Sequence, residues 1–194
     1  MQSRSCRITL PVLVLAVSAL FPCVGRTQAT DISGTISTTL TISGDSELVG
    51  DVTCAVPPGP NPCIAFGAEH IKLRLNGHTI TGPVTPPTAC SLPTDSMFGV
   101  GIEAIDRTDV SIEGPGIIQH FERWGILIGL PGHPNSEITV KKVTADHNCW
   151  SGMQTFSTSD SNFEENVFAS DSGCSNGLVA AELEWSAANT TEFG

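Results

Sequence analysis

The sequence predicts an all-β protein, a solenoid in which short parallel strands stack from coil to coil. Three observations predict this fold. The chain includes 19 glycines and no tyrosine, and it offers few runs of good helix formers. Similar segments recur along the chain at sequence offsets of 37, 28 and 25. Apolar strand starts such as WGILIG and SGMQTF follow polar turns in the same way.

Residues 1–29 have the layout of a secretory signal peptide. Two arginines precede the apolar run Ile8–Phe21, and a small-residue cleavage site ending at Ala29 follows it. The run is shorter than the roughly 20 residues that a membrane-spanning helix needs. We therefore expect a secreted, periplasmic or cell-surface protein, with no membrane insertion after cleavage.

Cleavage after Ala29 leaves a strongly acidic chain. The mature protein would span positions 30–194, which is the length of one domain. It would carry 6 basic and 20 acidic side chains, a net charge of −14. This charge repels nucleic acid and anionic lipid. Nucleic acid is therefore excluded as a partner.

Residues 30–63 are predicted to form an N-terminal β cap followed by a proline-rich loop. The first part is β-branched, alternating and interrupted by glycines, which indicates short strands joined by tight turns. The segment Ala55–Cys63 contains four prolines, which exclude regular structure there.

Residues 64–194 are predicted to form the rungs of the solenoid. LRLNGHTITG, Leu73–Gly82, aligns with VSIEGPGIIQ, Val110–Gln119, at an offset of 37. A related segment starts at Ile138, at a further offset of 28 from Val110. Three short strands with turns fill a repeat of this length, so each coil would stack on the next at ~4.8 Å. No polar cap follows the last rung, so we expect the solenoid to continue beyond the given sequence or to pair with another subunit.

The pair Asn76-Gly77 tests this prediction. Between alternating apolar residues, Asn-Gly is the strongest short-range hairpin signal. The alignment instead predicts a corner, with Gly77 and Gly114 at positions of positive φ. The chain would then continue around the coil and not fold back.

The last repeat aligns ADHNCWSGMQ with SDSGCSNGLV at an offset of 25. This places Asp146 opposite Asp171 and Cys149 opposite Cys174. An antiparallel sandwich of hairpins is the alternative fold, but it does not predict Cys-on-Cys and Gly-on-Gly repetition at one offset.

The segments IKLRLNGHTITG and VSIEGPGIIQHF and the N-x-x-x-G-[IML] rungs resemble right-handed parallel β-helix proteins of the pectin-lyase-like superfamily. The closest group is the one built from tandem parallel β-helix repeats. The resemblance covers roughly residues 64–181 and implies a right-handed parallel β-helix. It implies no single activity, because this fold hosts lyases, hydrolases, epimerases, adhesins and scaffolds. The catalytic motifs of polygalacturonase-like hydrolases, pectate lyases and mannuronan epimerases do not occur.

Five cysteines follow the signal peptide, so one is left unpaired within the chain. On adjacent coils, the Cα atoms of Cys149 and Cys174 would lie ~4.8 Å apart, within the disulfide range of ~4.4–6.8 Å. Cys54 with Cys63 would close the proline-rich loop, and a bond from either one to Cys90 is the alternative. No CxxC or histidine spacing indicates a metal site.

Asp146 and Asp171, with His147 beside the first, are the candidate catalytic residues. Stacked carboxylates about 5 Å apart match the separation in retaining glycosidases. Such a pair suits acid/base catalysis or a calcium ion, and no other cofactor is indicated. The alternative is commoner: these are turn residues that bond local backbone.

Trp124 and Trp150 each precede a strand start, and their sequence numbers differ by about the length of one coil. One coil apart on one flank, their rings would form a platform on which a sugar stacks. Packing under loops is the commoner role of such residues.

These observations favour a secreted protein that binds or associates with an extracellular polysaccharide or glycan, with no catalysis demonstrable. A polysaccharide lyase or glycoside hydrolase is one alternative. An adhesin or surface scaffold is the other.

Overall fold

A computed structural model describes residues 28–57, 60–84, 99–170, 181–183 and 192–193. These residues form strands and turns and include no helix, which confirms the all-β prediction. Nothing in the described part of the chain has the length and apolar character of a membrane-crossing helix. The predicted signal peptide, residues 1–29, lies almost entirely outside the described residues.

The strands are short and follow one another closely along the chain. In chain order they are β1 (Thr30–Ile36), β2 (Leu40–Ile42), β3 (Ser46–Cys54), β4 (Ile64–Phe66), β5 (Ile71–Arg74), β6 (Thr79–Thr81), β7 (Val100–Ala104), β8 (Val110–Gln119), β9 (Trp124–Ile128), β10 (Asn135–Ser136), β11 (Thr139–Asn148), β12 (Ser151–Thr155), β13 (Thr158–Ser159), β14 (Asn162–Glu164), β15 (Val167–Ser170), β16 (Ala181–Leu183) and β17 (Glu192–Phe193).

Parallel pairing joins these strands into two main sheets. The nine-stranded sheet has the order β1-β3-β5-β8-β11-β14-β17, with β6 paired to β3 and β8 and β15 paired to β11. The six-stranded sheet has the order β16-β12-β9-β7-β4-β2, and β10 and β13 form a third, short sheet. The chain passes repeatedly between the two main sheets, although β5 and β6, and also β14 and β15, follow each other within the larger one. Parallel sheets require such crossovers, because a tight hairpin can join only antiparallel strands.

The predicted N-terminal cap belongs to these same sheets. β1 and β3 pair in parallel within the larger sheet, and β2 pairs with β4 in the smaller one. Residues 30–63 therefore contribute parallel strands to both main sheets, as do the residues that follow.

The Asn76-Gly77 pair is a corner, as the repeat alignment predicts. β5 and β6 lie on either side of it, and both pair in parallel with β3 and β8 and not with each other. Asn76 and Gly77 have φ angles of 50° and 84°, which turn the chain without reversing it. The prediction of positive φ at Gly114 is wrong: that residue precedes a cis proline, and the positive φ on the next coil belongs to Lys142.

This corner divides the larger sheet into two segments. The first segment comprises β5, β14 and the N-terminal halves of β1, β3, β8 and β11. The second comprises β6, β15 and the C-terminal halves of the same long strands.

The predicted offset of 37 is wrong by one or two positions. Leu73 lies opposite Ile112, an offset of 39, and Ile80 lies opposite Ile118, an offset of 38. The corner between β5 and β6 holds one residue more than the corresponding corner within β8, so Gly77 and Gly114 do not stack. The predicted offset of 28 is confirmed where Ser111 meets Thr139.

The single offset of 25 in the last repeat is also wrong. Thr144 lies opposite Val167, an offset of 23, whereas Met153 lies opposite Ala181, an offset of 28. The repeats differ in length between the two sheets, because their turns differ in length.

Inward side chains stack into continuous apolar rows between the sheets. One row runs through the larger sheet and another through the smaller one, and a fully buried Leu or Ile in such a row stabilises the fold by about 1.5–3 kcal/mol. Their buried members are Leu73, Ile112, Val140 and Phe163 in the first row and Ile64, Ile102, Ile126 and Met153 in the second.

Glycines at the start of the strands in the smaller sheet allow close packing at one corner. A Cβ at Gly125 would lie 2.7 Å from the carbonyl oxygen of Gly152 and 2.8 Å from Asn148 Nδ2. A Cβ at Gly101 would lie 2.5 Å from the carbonyl oxygen of Gly125. The recurring glycine before an apolar residue therefore reflects the lack of space for a side chain there.

Two asparagines, one buried and one half-buried, join neighbouring strands through their side-chain amides. Asn148 is fully buried; its Oδ1 accepts a hydrogen bond from the Phe121 N–H at 3.0 Å, and its Nδ2 donates to the Ile118 carbonyl at 3.0 Å. Asn166 bonds in the same way to the Val143 N–H and the Val140 carbonyl. These amides satisfy the backbone groups that corners leave without a strand partner.

A disulfide joins Cys54 to Cys63, whose Cα atoms are 5.8 Å apart. Cys149 is disulfide-bonded as well. Its predicted partner Cys174 lies outside the described residues, and so does Cys90.

Candidate functional site

Outward side chains of the first segment form a row of charged residues, here called the charged ladder. From strand to strand the register places two acids first and then base, acid, base and acid next to one another. These residues are Asp31, Glu47, Arg74, Glu113, Lys141 and Glu164.

Ion pairs occupy the charged ladder and its neighbours. Glu113 contacts Lys72 at 3.2 Å and Arg74 at 3.5 Å. Lys141 contacts Glu164, and this hydrogen bond raises the pKa of the lysine and lowers the pKa of the carboxyl group. Opposite charges directly across neighbouring strands stabilise a sheet and fix its register. From Arg74 to Glu164 the charged ladder is therefore a structural feature, with its charged groups paired.

Outward side chains of the second segment form a row of different character, here called the polar row. It consists of Thr35, Thr53, Thr81, Gln119 and Asp146. Among the described residues, one hydrogen bond joins two side chains of this row: Gln119 Nε2 donates to Thr81 Oγ1 at 3.3 Å. Hydroxyl, amide and carboxylate groups thus follow one another at the inter-strand spacing of ~4.8 Å.

Exposed apolar side chains lie beside the polar row. Ile117 is 39% exposed and Val167 is 56% exposed, and both stand on the same outward side of the second segment, with Thr144 between them. Three large hydrophobic side chains are exposed among the described residues, and these are two of them. The surface therefore combines hydrogen-bonding groups with accessible apolar area.

Two histidines lie at the corner where the polar row ends. His120 and His147 directly follow Gln119 and Asp146, and both have left-handed backbone conformations, with φ of 64° and 52°. The His120 N–H donates to the His147 carbonyl at 3.1 Å, and the ring centroids are 6.3 Å apart. The candidate site comprises these four side chains with Thr81.

Asp146 and His147, two of the predicted catalytic residues, form one hydrogen-bonded unit. The Asp146 Oδ1 accepts the His147 backbone N–H at 2.7 Å, and its Oδ2 lies 2.9 Å from His147 Nδ1. The first contact is the local backbone bond expected of a turn residue. Asp171, the third residue, lies outside the described residues, and the register just before it pairs Asn148 with Ser170 at an offset of 22 and not 25.

Trp124 and Trp150 come together, with ring centroids 6.1 Å apart. Trp124 is only 2% exposed, and Trp150 is half-buried. The guanidinium of Arg123 lies 3.9 Å from one ring centroid and 4.3 Å from the other. The pair therefore packs around an arginine, and Trp124 presents no open ring face to a sugar.

These tryptophans belong to a second apolar cluster that covers the smaller sheet. Leu127 lies between Ile126 and Ile128 on β9, so it belongs to the face opposite the main core. It is as buried as they are, because it packs in the cluster that includes Trp124. Burial also raises the pKa of Glu103, which lies opposite Leu127. This face is covered, so it offers less accessible surface than the polar row.

A groove lies beside the Cys54–Cys63 loop. Its volume is about 460 Å³, and it is lined by Thr38, Thr39, Val56, Pro57 and Asn61. Since none of these side chains titrates, the groove supplies no acid or base.

Sequence reasoning missed Gln119, His120 and Thr81. The only signal for them was their position: each lies at the end of an alternating segment, just before or at a polar turn. In the described residues, no three His, Cys, Asp or Glu side chains are grouped so as to hold a metal ion.

Comparison with known proteins yields no relative of this chain. No family model matches it, and neither do any curated protein or any solved structure.

Proposed function

We propose that this protein is a right-handed parallel β-helix of the pectin-lyase-like kind that binds extracellular carbohydrate through the polar row and its histidine corner. The parallel pairing of every described strand pair and the repeated passage of the chain between the sheets support the β-helix. Its strands would form three faces, with corners at Asn76-Gly77 and at the two histidines.

The contrast between the outward faces carries the functional proposal. One face is occupied by ion pairs and another is covered by an apolar cluster. The polar row alone combines half-exposed hydroxyl, amide and carboxylate groups with exposed Ile117 and Val167. A sugar presents hydroxyl groups and C–H surface together, so it matches both properties of this face.

The acidic composition favours a neutral or basic glycan as ligand. With a net charge of −11 for the whole chain, an acidic polysaccharide would be repelled. The signal peptide layout supports export, and the Cys54–Cys63 disulfide is compatible with an oxidising compartment.

A glycan array followed by calorimetry on the best ligand tests the proposal. Gln119→Ala removes one planar hydrogen-bonding group from the polar row, so affinity should fall about three- to tenfold. Ser111→Ala, an outward position on the first segment of the same strand, is the matched control and should leave affinity unchanged. Release of sugar during the assay would indicate an enzyme.

If the protein bound no neutral, basic or acidic glycan, the result would contradict the proposal and favour a scaffold. Equal losses in the two variants would contradict the placement of the site on the polar row.

A further inference from the structure

The two histidines at the end of the polar row lie side by side, with ring centroids 6.3 Å apart. We propose that His120 and His147 together bind a first-row divalent transition metal ion such as Zn²⁺. This inference does not rest on carbohydrate binding, and its test contains no carbohydrate.

Asp146 fixes the tautomer of His147. A carboxylate only accepts hydrogen bonds, so the 2.9 Å contact with Asp146 Oδ2 places the proton of the neutral ring on Nδ1. The lone pair is then on Nε2. A carboxylate behind the imidazole is the arrangement that orients metal-binding histidines and raises their basicity.

His120 brings the second imidazole to the same place. Its ring centroid lies 6.3 Å from that of His147, with the rings nearly perpendicular. With Zn–N bonds of about 2.1 Å, two imidazoles on one ion have centroids about 5–6 Å apart. A small side-chain rotation closes this difference, and both rings have room for it because His147 is 57% exposed and His120 half-exposed.

The backbone holds the pair one coil apart. Both residues have left-handed conformations at successive corners, and the hydrogen bond from the His120 N–H to the His147 carbonyl joins them. The two protein ligands leave the remaining positions of the ion for water or a ligand oxygen. Imidazole is a preferred ligand for Zn²⁺ and Cu²⁺ but not for Ca²⁺, which takes oxygen ligands.

Isothermal titration of Zn²⁺ into the full chain, with free thiols alkylated beforehand, tests this site. His120→Asn and His147→Asn should each weaken binding at least tenfold. Asparagine tolerates the left-handed backbone, so these variants keep the corner and lose only the imidazole. Asp146→Ala should weaken binding about tenfold through the orientation of His147.

His70→Asn is the matched control. His70 also has a left-handed conformation, with φ of 57°, and its Nδ1 lies 2.9 Å from Asp109 Oδ2, but it lies at a different corner. This variant should bind Zn²⁺ like the native chain, and Ca²⁺ should give no response at the same concentrations. Circular dichroism verifies that each variant is folded.

Two results would overturn the inference. The first is a native chain that does not bind Zn²⁺ at millimolar concentration. The second is Zn²⁺ binding by folded His120→Asn and His147→Asn that equals binding by the His70→Asn control.

Discussion

The charged ladder and the polar row lie on the same long strands, yet neighbouring strands are held together differently in the two rows. On β8, Glu113 contacts two cations of the neighbouring strand β5, whereas Gln119, at the other end of that strand, donates to a threonine hydroxyl. At the end of the polar row, Asn148 bonds the preceding coil from inside. At this end of the polar row, the support from within leaves the outward side chains available to a ligand.

Removal of the buried Asn148 amide should have the largest effect on stability. Asn148→Ala leaves the Phe121 N–H and the Ile118 carbonyl buried without partners, so we expect a loss of about 3 kcal/mol in the free energy of unfolding. Urea denaturation measures it. Asn162→Ala, at an exposed position on the first segment, should cost no more than about 0.5 kcal/mol. Equal losses in the two variants would remove the distinction between internal and external support.

A lysine introduced at matched outward positions should lower the free energy of unfolding on one face and not on the other. This difference should be smaller than the effect of Asn148→Ala. Glu113→Lys places a cation beside Lys72, Arg74 and Lys141, which should destabilise the fold by about 1 kcal/mol in dilute buffer and less at high salt. Gln119→Lys, on the same strand, has Asp146 and Thr81 as neighbours and should change stability by less than about 0.5 kcal/mol. A larger loss at Gln119 than at Glu113 would contradict the assignment of the faces.

The smallest expected effect on stability comes from Glu164 of the charged ladder, and it depends on pH. Because the folded pKa of Glu164 is lowered by Lys141, this carboxylate stabilises the fold above its unfolded pKa, and the effect is lost as pH falls through the folded value. Glu164→Gln should therefore lower the urea midpoint slightly at pH 7 and leave it unchanged near pH 2. A difference that persists at pH 2 would show that Glu164 does not act through its charge.

Several features of the fold could be predicted from the sequence because they repeat. The parallel pairing and the corner at Asn76-Gly77 follow from alternation that recurs coil after coil. The offset of 37 failed because it matched Gly77 with Gly114, and corners of different length do not stack their glycines. Apolar rows determine the register, and a corner absorbs an extra residue without disturbing them.

The candidate site was harder to predict from the residues alone. Asp146 and His147 were identified, since acids and histidines are conspicuous at a turn. Gln119 and His120 were not, because their importance depends on lying one coil before Asp146 and His147, which needs the register. The pairing of Trp124 with Trp150 followed from their spacing, but the burial of Trp124 against Arg123 did not, because an aromatic residue before a strand start gives no indication of what its ring faces.

The register on either side of residues 82–99 has a practical consequence. The chain leaves the larger sheet after β6 and enters the smaller one at β7, and Ile80 still lies opposite Ile118 although that coil is longer than the next. The length of this connection is thus independent of the stacking on both sides. We expect an insertion in this connection to leave the apolar rows in register. A reporter attached there would start beside the candidate site, because the Gly82 and Val84 N–H groups donate to the Gln119 and His120 carbonyls.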